Sequence, residues 1–341
     1  MTGRTRIVAF GLTAVLLSAC GGGAAVDPGA PSQAVPASTN APTGTSWMLP
    51  EAANASNLLY VSNNGNGTVT AYAYKAGTKL KLVGALKVPG PTGVCSDKSG
   101  NVWIGSKDGH ALHEYPHGAT RPVQLIRLPG SGQPAGCAVD STGNLAVAVN
   151  HPHAKAVGHF ADVLVYAHGS GFPQEYETPG GFFAIYFVAF DGSGSLFADA
   201  TLCDSDSYCY SAAGPPGLFE LKRGDDAFSE LTLQGFSLNQ PTGLAWINPT
   251  LLINDRIDES TNTWVADKVL ITNGKATLLQ TLSLSKMYGA SGVAVRAGVA
   301  IVADIDGRAV RTYSISDGSP LAVLNKSLSS PYAVTVSQGR Q

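Results

Sequence analysis

The stretch PTGVCSDKSGNVWI, Pro91 to Ile104, is rewritten 43 residues later as PAGCAVDSTGNLAV, Pro134 to Val147. Self-similarity at a near-constant period constrains a fold more than any single motif, because each copy must be one supersecondary unit stacked on the next. Weaker copies are FVAFDGSGSLFAD from Phe187, PTGLAWINPTLLIND from Pro241, ASGVAVRAGVAIVAD from Ala290 and PYAVTVS from Pro331. The aligned positions Gly93, Gly136, Phe187, Gly243, Gly292 and Ala333 stand 43, 51, 56, 49 and 41 residues apart. Each full copy reads as a short apolar strand, a turn bearing Asp or Gly, and a second strand. Third strands with alternating apolar residues follow, such as ADVLVYAH, GLFELKR and AVRTYSIS. Fourth strands are PVQLIRLPG, SELTLQG and LAVLNKSL. Four strands in about 40–50 residues are the signature of a β-propeller blade.

The two ends of the repeat complete one another. NLLYVSNNGNGTVTAYAYKAGTKLKLVGALK supplies strands two to four without a first, and the terminal PYAVTVS is a first strand without the rest. Joined, they make one blade and leave no open edge at the seam. The prediction is an all-β, six-bladed propeller of four-stranded blades over residues 47–341, closed by pairing of the N- and C-terminal strands; seven blades or a β-sandwich are the competing architectures. Only 13% of residues are charged against 44% hydrophobic, with 40 Gly, which favours strands and turns over helices. A formal net charge of −2 without a Lys/Arg cluster gives no surface for nucleic acid.

The segments GNVWIGSKDGHALHEYPHG and GNLAVAVN…DVLVYAHGSG resemble the NHL-type and gluconolactonase-like six-bladed propeller superfamily, over roughly residues 55–338. In the gluconolactonase branch the resemblance implies a divalent cation at the channel mouth. Its ligands would be a Glu opening one first strand and Asn or Asp at equivalent strand starts. The middle residue of Pro-x-Gly is the matching place, and here it is Thr92, Ala135 or Thr242, with Ser291 and Tyr332 in the looser copies. A hard cation needs several converging oxygen ligands, so that site is not expected and no catalytic residue is assigned. Neither a Gly-x-Ser-x-Gly elbow nor a His-Glu-x-x-His helix occurs. The expected function is a binding or interaction module for a protein, glycan or small molecule, with a lactone-hydrolase-like or lyase-like enzyme as the alternative.

Three other patterns bear on sites. All seven histidines fall between His110 and His168. Of these, His110, His151, His153 and His159 sit on connections expected on one face, where they form a candidate divalent-metal set, the one possible cofactor. The plainer reading is a group of unrelated loop histidines. The connection between strands two and three is long in three successive units, which predicts a raised ligand-binding rim carrying Tyr208, Tyr210, Asp258, Glu259 and Trp264. Among the cysteines, Cys203 and Cys209 bracket DSDSY and are expected to pair. Cys95 and Cys137 are offset by one position in aligned copies, so they point to opposite faces of their strands. Neighbouring blades meet face to face, so this offset permits a disulfide between them; two buried free thiols are the other reading.

The first residues read as an address. Arg4 and Arg6 precede the apolar run IVAFGLTAVLL, which is too short to span a bilayer as a helix. The quartet Leu17-Ser18-Ala19-Cys20 resembles the lipobox of bacterial lipoproteins. That resemblance implies a signal peptide over residues 1–19, lipidation of Cys20, and a membrane anchor in the cell envelope, with the outer membrane expected because Gly21 follows. Residues 20–46 are rich in Pro, Ala, Gly and Ser and carry no aromatic before Trp47, which describes a flexible tether.

Overall fold

The computed structural model describes residues 45–76, 78, 80–151, 160–178, 181–203 and 214–339. These residues form an all-β, propeller-like arrangement whose only helical pieces are the short 3-10 turns Pro50–Asn54 and Ala167–Gly169. Among them no helix is long and apolar enough to cross a membrane.

Each repeat copy is an antiparallel meander that opens on its conserved-spacing segment. The innermost, first strands are Pro91–Ser96, Gln133–Val139, Phe182–Phe190, Pro241–Ile247 and Ala290–Arg296 in the second to sixth meanders, counted from the N-terminus, and Pro331–Gln338 in the first. The last of these pairs with Asn57–Asn63 along its whole length, from Asn57 opposite Gln338 to Asn63 opposite Pro331. The two ends of the domain are therefore sewn into one sheet, as the complementary half-units required. His117 reinforces the seam, with Nδ1 2.7 Å from Ser337 Oγ and Nε2 2.8 Å from the Ala55 carbonyl.

Hydrogen bonding divides the strands into five sheets, where six separate ones were expected. The third and fourth meanders share an eight-stranded sheet through one ladder pair, Ala161 opposite Phe182. Two sheets also carry a fifth strand. Trp47–Met48 pairs with Lys81–Lys87 in the first, and Thr232–Gln234 runs parallel to Lys275–Ser283 in another. The segment SELTLQG, expected to be a single fourth strand, splits around Leu231. Its Ser229–Glu230 part stays with its own meander, and Thr232–Gln234 crosses to the next.

Period-2 alternation explains how the core closes on itself. In Asn57–Asn63, Leu58 and Tyr60 face the second meander with Val102 and Ile104. The residues between them, Leu59 and Val61, face the sixth with Val299 and Ile301. The other seams repeat this: Trp103 with Leu164, Phe182 with Ala146 and Ala148, and Leu252 with Ala300. Phe197 lies flat against Trp246, with ring centroids 5.8 Å apart.

The recurring glycine of Pro-x-Gly sits where innermost strands converge. A Cβ on Gly93 would collide with the Ala135 carbonyl oxygen, and one on Gly136 would lie 2.7 Å from that of Tyr186. The turn acid has an equally local role. Asp140 accepts N–H bonds from Thr142 and Asn144 at 2.8 and 2.9 Å, while Gly143 takes the positive φ that closes the turn. The repeat is thus built of architectural residues.

The one-residue cysteine offset is realised as a bond: Cys95 and Cys137 form a disulfide between neighbouring innermost strands, with Cα atoms 5.7 Å apart. Cys203 is also disulfide-bonded. Its expected partner Cys209 lies outside the described residues, as do Cys20, His153, His159, Tyr208 and Tyr210.

Candidate ligand site at the channel entrance

The residues immediately before the aligned positions Gly93, Gly136, Phe187, Gly243, Gly292 and Ala333, near the start of each innermost strand, are Thr92, Ala135, Tyr186, Thr242, Ser291 and Tyr332. Four of them, Tyr186, Thr242, Ser291 and Tyr332, line a cavity of about 320 Å³ together with Phe187 and Thr201. That volume lies at the lower end of the range for small-molecule sites. Its wall is largely apolar and includes a stacked aromatic pair, the Phe187 and Tyr332 rings, with centroids 5.7 Å apart. Tyr186 is partly exposed at 38% and forms the lip.

Polar groups below this wall differ in how they are satisfied. Strand-two ends clamp the chain entering strand one. Asp255 accepts N–H bonds from Asn239 and Gln240, the shortest 2.6 Å. Asp304 accepts from Tyr288 and Gly289 and is held by Arg311 Nε at 2.6 Å. Asn63 accepts from Ser329 N at 3.0 Å. These acids and amides are structural.

Asp199 is different. It is fully buried, and its Oδ1 accepts the Phe187 N–H at 2.6 Å, but its Oδ2 has no hydrogen-bond partner. Burial pushes its carboxyl up to about 7 against an ordinary 3.8, with backbone N–H groups acting the other way. Burial also raises the Tyr186 and Tyr332 phenols, and the Asp199 charge adds to both. The hydroxyl oxygens of two cavity residues, Thr201 and Thr242, are shut off from water without a partner, as is Asn254 Oδ1. Buried polar atoms of this kind are rare in native structures, and each calls for a ligand, a water or another specific reason.

None of the described sequence-predicted site residues lines this cavity. Asp258 and Glu259 stand on a tight hairpin turn, because the expected long loop is instead an extension of Thr250–Asp258 and Thr263–Thr272. Asp258 caps that turn by accepting from Ser260 N and Oγ at 2.8 and 2.7 Å, and Glu259 pairs with Arg256 at 3.0 Å. Trp264, expected on an exposed rim, is only 5% exposed. It faces the core between the fifth and sixth meanders beside Leu284 and Met287, since its place in the extended strand points it inward. Among the predicted metal histidines, His110 donates through Nδ1 to the Gly132 carbonyl at 3.1 Å, and His151 meets Asp162 Oδ2 through Nε2 at 2.8 Å. Both flank Gly132, but their ring nitrogens meet these separate partners rather than each other. Asp199 was missed. In FADATL it resembles the turn-marking acids of LIND and IVAD, and only register sets it one step deeper in the strand.

Neither a family model nor a curated protein matches this chain. Solved structures do. A chain of the nidogen/laminin complex superposes with a TM-score of 0.64 at 12% identity, covering 84% of this chain and all of that one. A protein assigned as a gluconolactonase superposes with a TM-score of 0.52 at 14% identity, covering 73% and 85%. At such identities the likeness concerns the fold, and it supports a propeller.

Proposed function

We propose that this chain is a membrane-tethered, six-bladed propeller that binds a small uncharged molecule of monosaccharide size at the channel entrance. The blade count rests on six meanders whose innermost strands adjoin in a closed circuit, the eight-stranded sheet being two blades joined by a single pair. The observation that carries the function is the cavity itself. Its stacked aromatic walls offer a sugar-like ring an apolar face, and the unpartnered Thr201 and Thr242 hydroxyls offer hydrogen bonds. The positions that would carry a hard-cation site hold Thr92, Ala135, Tyr186, Thr242, Ser291 and Tyr332, which suits recognition better than hydrolysis.

Saturation-transfer NMR with a panel of neutral monosaccharides and aldonolactones tests this reading. Wild type is expected to show saturable contact with at least one member. Thr242→Val should weaken it about five- to tenfold, the worth of one hydrogen bond, and Tyr332→Ala should abolish it. Contact that survives Tyr332→Ala unchanged would move the site elsewhere. Turnover of a lactone in the same samples would favour the enzymatic alternative, for which the likeness to an assigned gluconolactonase is the supporting observation.

The tether reading rests on the Leu17–Cys20 quartet and residues 20–46, and it places the propeller in a bacterial envelope, with the outer membrane favoured. Metabolic labelling with a palmitate analogue in a bacterial host should tag the wild-type chain and sediment it with membranes. Cys20→Ser should lose the label and move the protein to the soluble fraction; label retention would dismiss this anchor.

A further inference from the structure

The third meander holds a second group of polar side chains, away from the channel entrance. His151 follows the strand Leu145–Asn150, and Asp162 is the second residue of the next strand, Ala161–Tyr166. Outside it lies the three-residue strand Gln174–Tyr176, with Val163 opposite Tyr176 and Leu164 opposite Glu175. Carried one residue further, this register sets Glu177 across from Asp162, with Glu175 two residues away on the same face. One carboxylate oxygen from each of Asp162, Glu175 and Glu177 lies within 4.8 Å of the other two.

Three carboxylates converging across a strand pair repel one another. Asp162 sharpens the problem, because its side chain is only 5% exposed. Its Oδ2 is taken by His151 Nε2 at 2.8 Å, and its Oδ1 is buried without a partner. Glu175 is exposed, Glu177 is half-buried, and both make other polar contacts.

We propose that Asp162, Glu175 and Glu177 form a site for one hard divalent cation, Ca²⁺ or Mn²⁺ in class, with His151 as the positioning residue behind it. An all-oxygen donor set selects hard cations. His151 does not ligate: its Nε2 faces Asp162 Oδ2, which fixes the carboxylate and leaves Oδ1 to accept the ion. The exposed Glu175 leaves room for water to complete the coordination shell. A bound cation would staple the short outer strand to its sheet on the same face as the channel entrance. The histidine set expected from the sequence thus contributes one member, in an outer role.

The test uses the full chain, stripped with EDTA and titrated calorimetrically at pH 7.5 with CaCl₂, MnCl₂ or ZnCl₂ alone. One Ca²⁺ or Mn²⁺ should bind per chain, with a dissociation constant below about 1 mM. The double variant Glu175→Gln/Glu177→Gln, which keeps side-chain size and hydrogen-bonding capacity, should weaken binding at least tenfold while its far-UV circular dichroism and metal-free fold are retained. His151→Ala should weaken binding about tenfold, and His151→Gln, which keeps a donor, by less. Should wild type bind neither ion saturably, the carboxylates are answered within the protein, by a charged His151 for example, and the proposal fails. It fails equally if binding is unaltered in the double variant, or if only Zn²⁺ binds, which would assign the metal to histidines.

Discussion

Replacing Cys95 and Cys137 together by alanine is expected to cost about 4 kcal/mol of folding stability. The bridge closes a loop with a sequence separation of 42, and a cross-link of that span removes roughly this much chain entropy from the unfolded state. For a domain of this size the loss corresponds to a fall of about 8 °C in melting temperature. Its position makes the effect global. Cys95 packs between the second and third meanders with Trp103, Val147 and Leu164, so the bridge joins two units that otherwise meet through side chains. Each single variant should lose nearly as much as the double one, because either substitution breaks the same bond. Thermal unfolding of the three variants under non-reducing conditions provides the measurement. A double variant within about 1 kcal/mol of wild type would show that the ring is held by packing alone.

The second large effect concerns Asp199. A carboxyl that ionises near 3.8 in the unfolded chain and about 7 when folded leaves the native state binding the extra proton over that window. Its contribution to stability is therefore complete below pH 4 and is lost as pH rises towards 7. The loss is up to about 4 kcal/mol for a group this buried. Asp255 and Asp267 are raised in the same direction, burial again being the main cause. The difference between wild type and Asp199→Asn isolates the one carboxyl. The two proteins should unfold alike at pH 4, and the variant should be the more stable at pH 8. The opposite order at pH 8 would mean that the ionised carboxylate is stabilised by a cation, and a difference independent of pH would remove the ionisation altogether.

Parts of this molecule were legible in the chain because period 2 and turn chemistry are local. The Cys95–Cys137 bridge was permitted by a one-residue offset, since side chains alternate faces whatever the rest of the fold does, and the structure decides for it over two free thiols. Ring closure followed from the half-units at the two ends. Trp264 was misread for want of tertiary context: nothing in NDRIDESTNTWVAD separates a long loop from a longer hairpin, and the hairpin turned the indole into the core. Asp199 was hidden among acids that end strands, because only pairing register sets it one step deeper than Asp255 or Asp304. The carboxylates of the third meander were hidden more completely. Glu175 and Glu177 meet Asp162 through a strand of three residues, too short to carry a pattern.

The sequence by itself determined an all-β ring of repeated meanders and its closing seam, and it permitted an inter-unit staple, since these depend on spacing and alternation along one chain. The tertiary structure alone decided which polar atoms were buried without partners, and so where a ligand could be held. Burial and hydrogen-bond satisfaction arise between strands far apart in sequence, and no local pattern encodes which oxygen is left over.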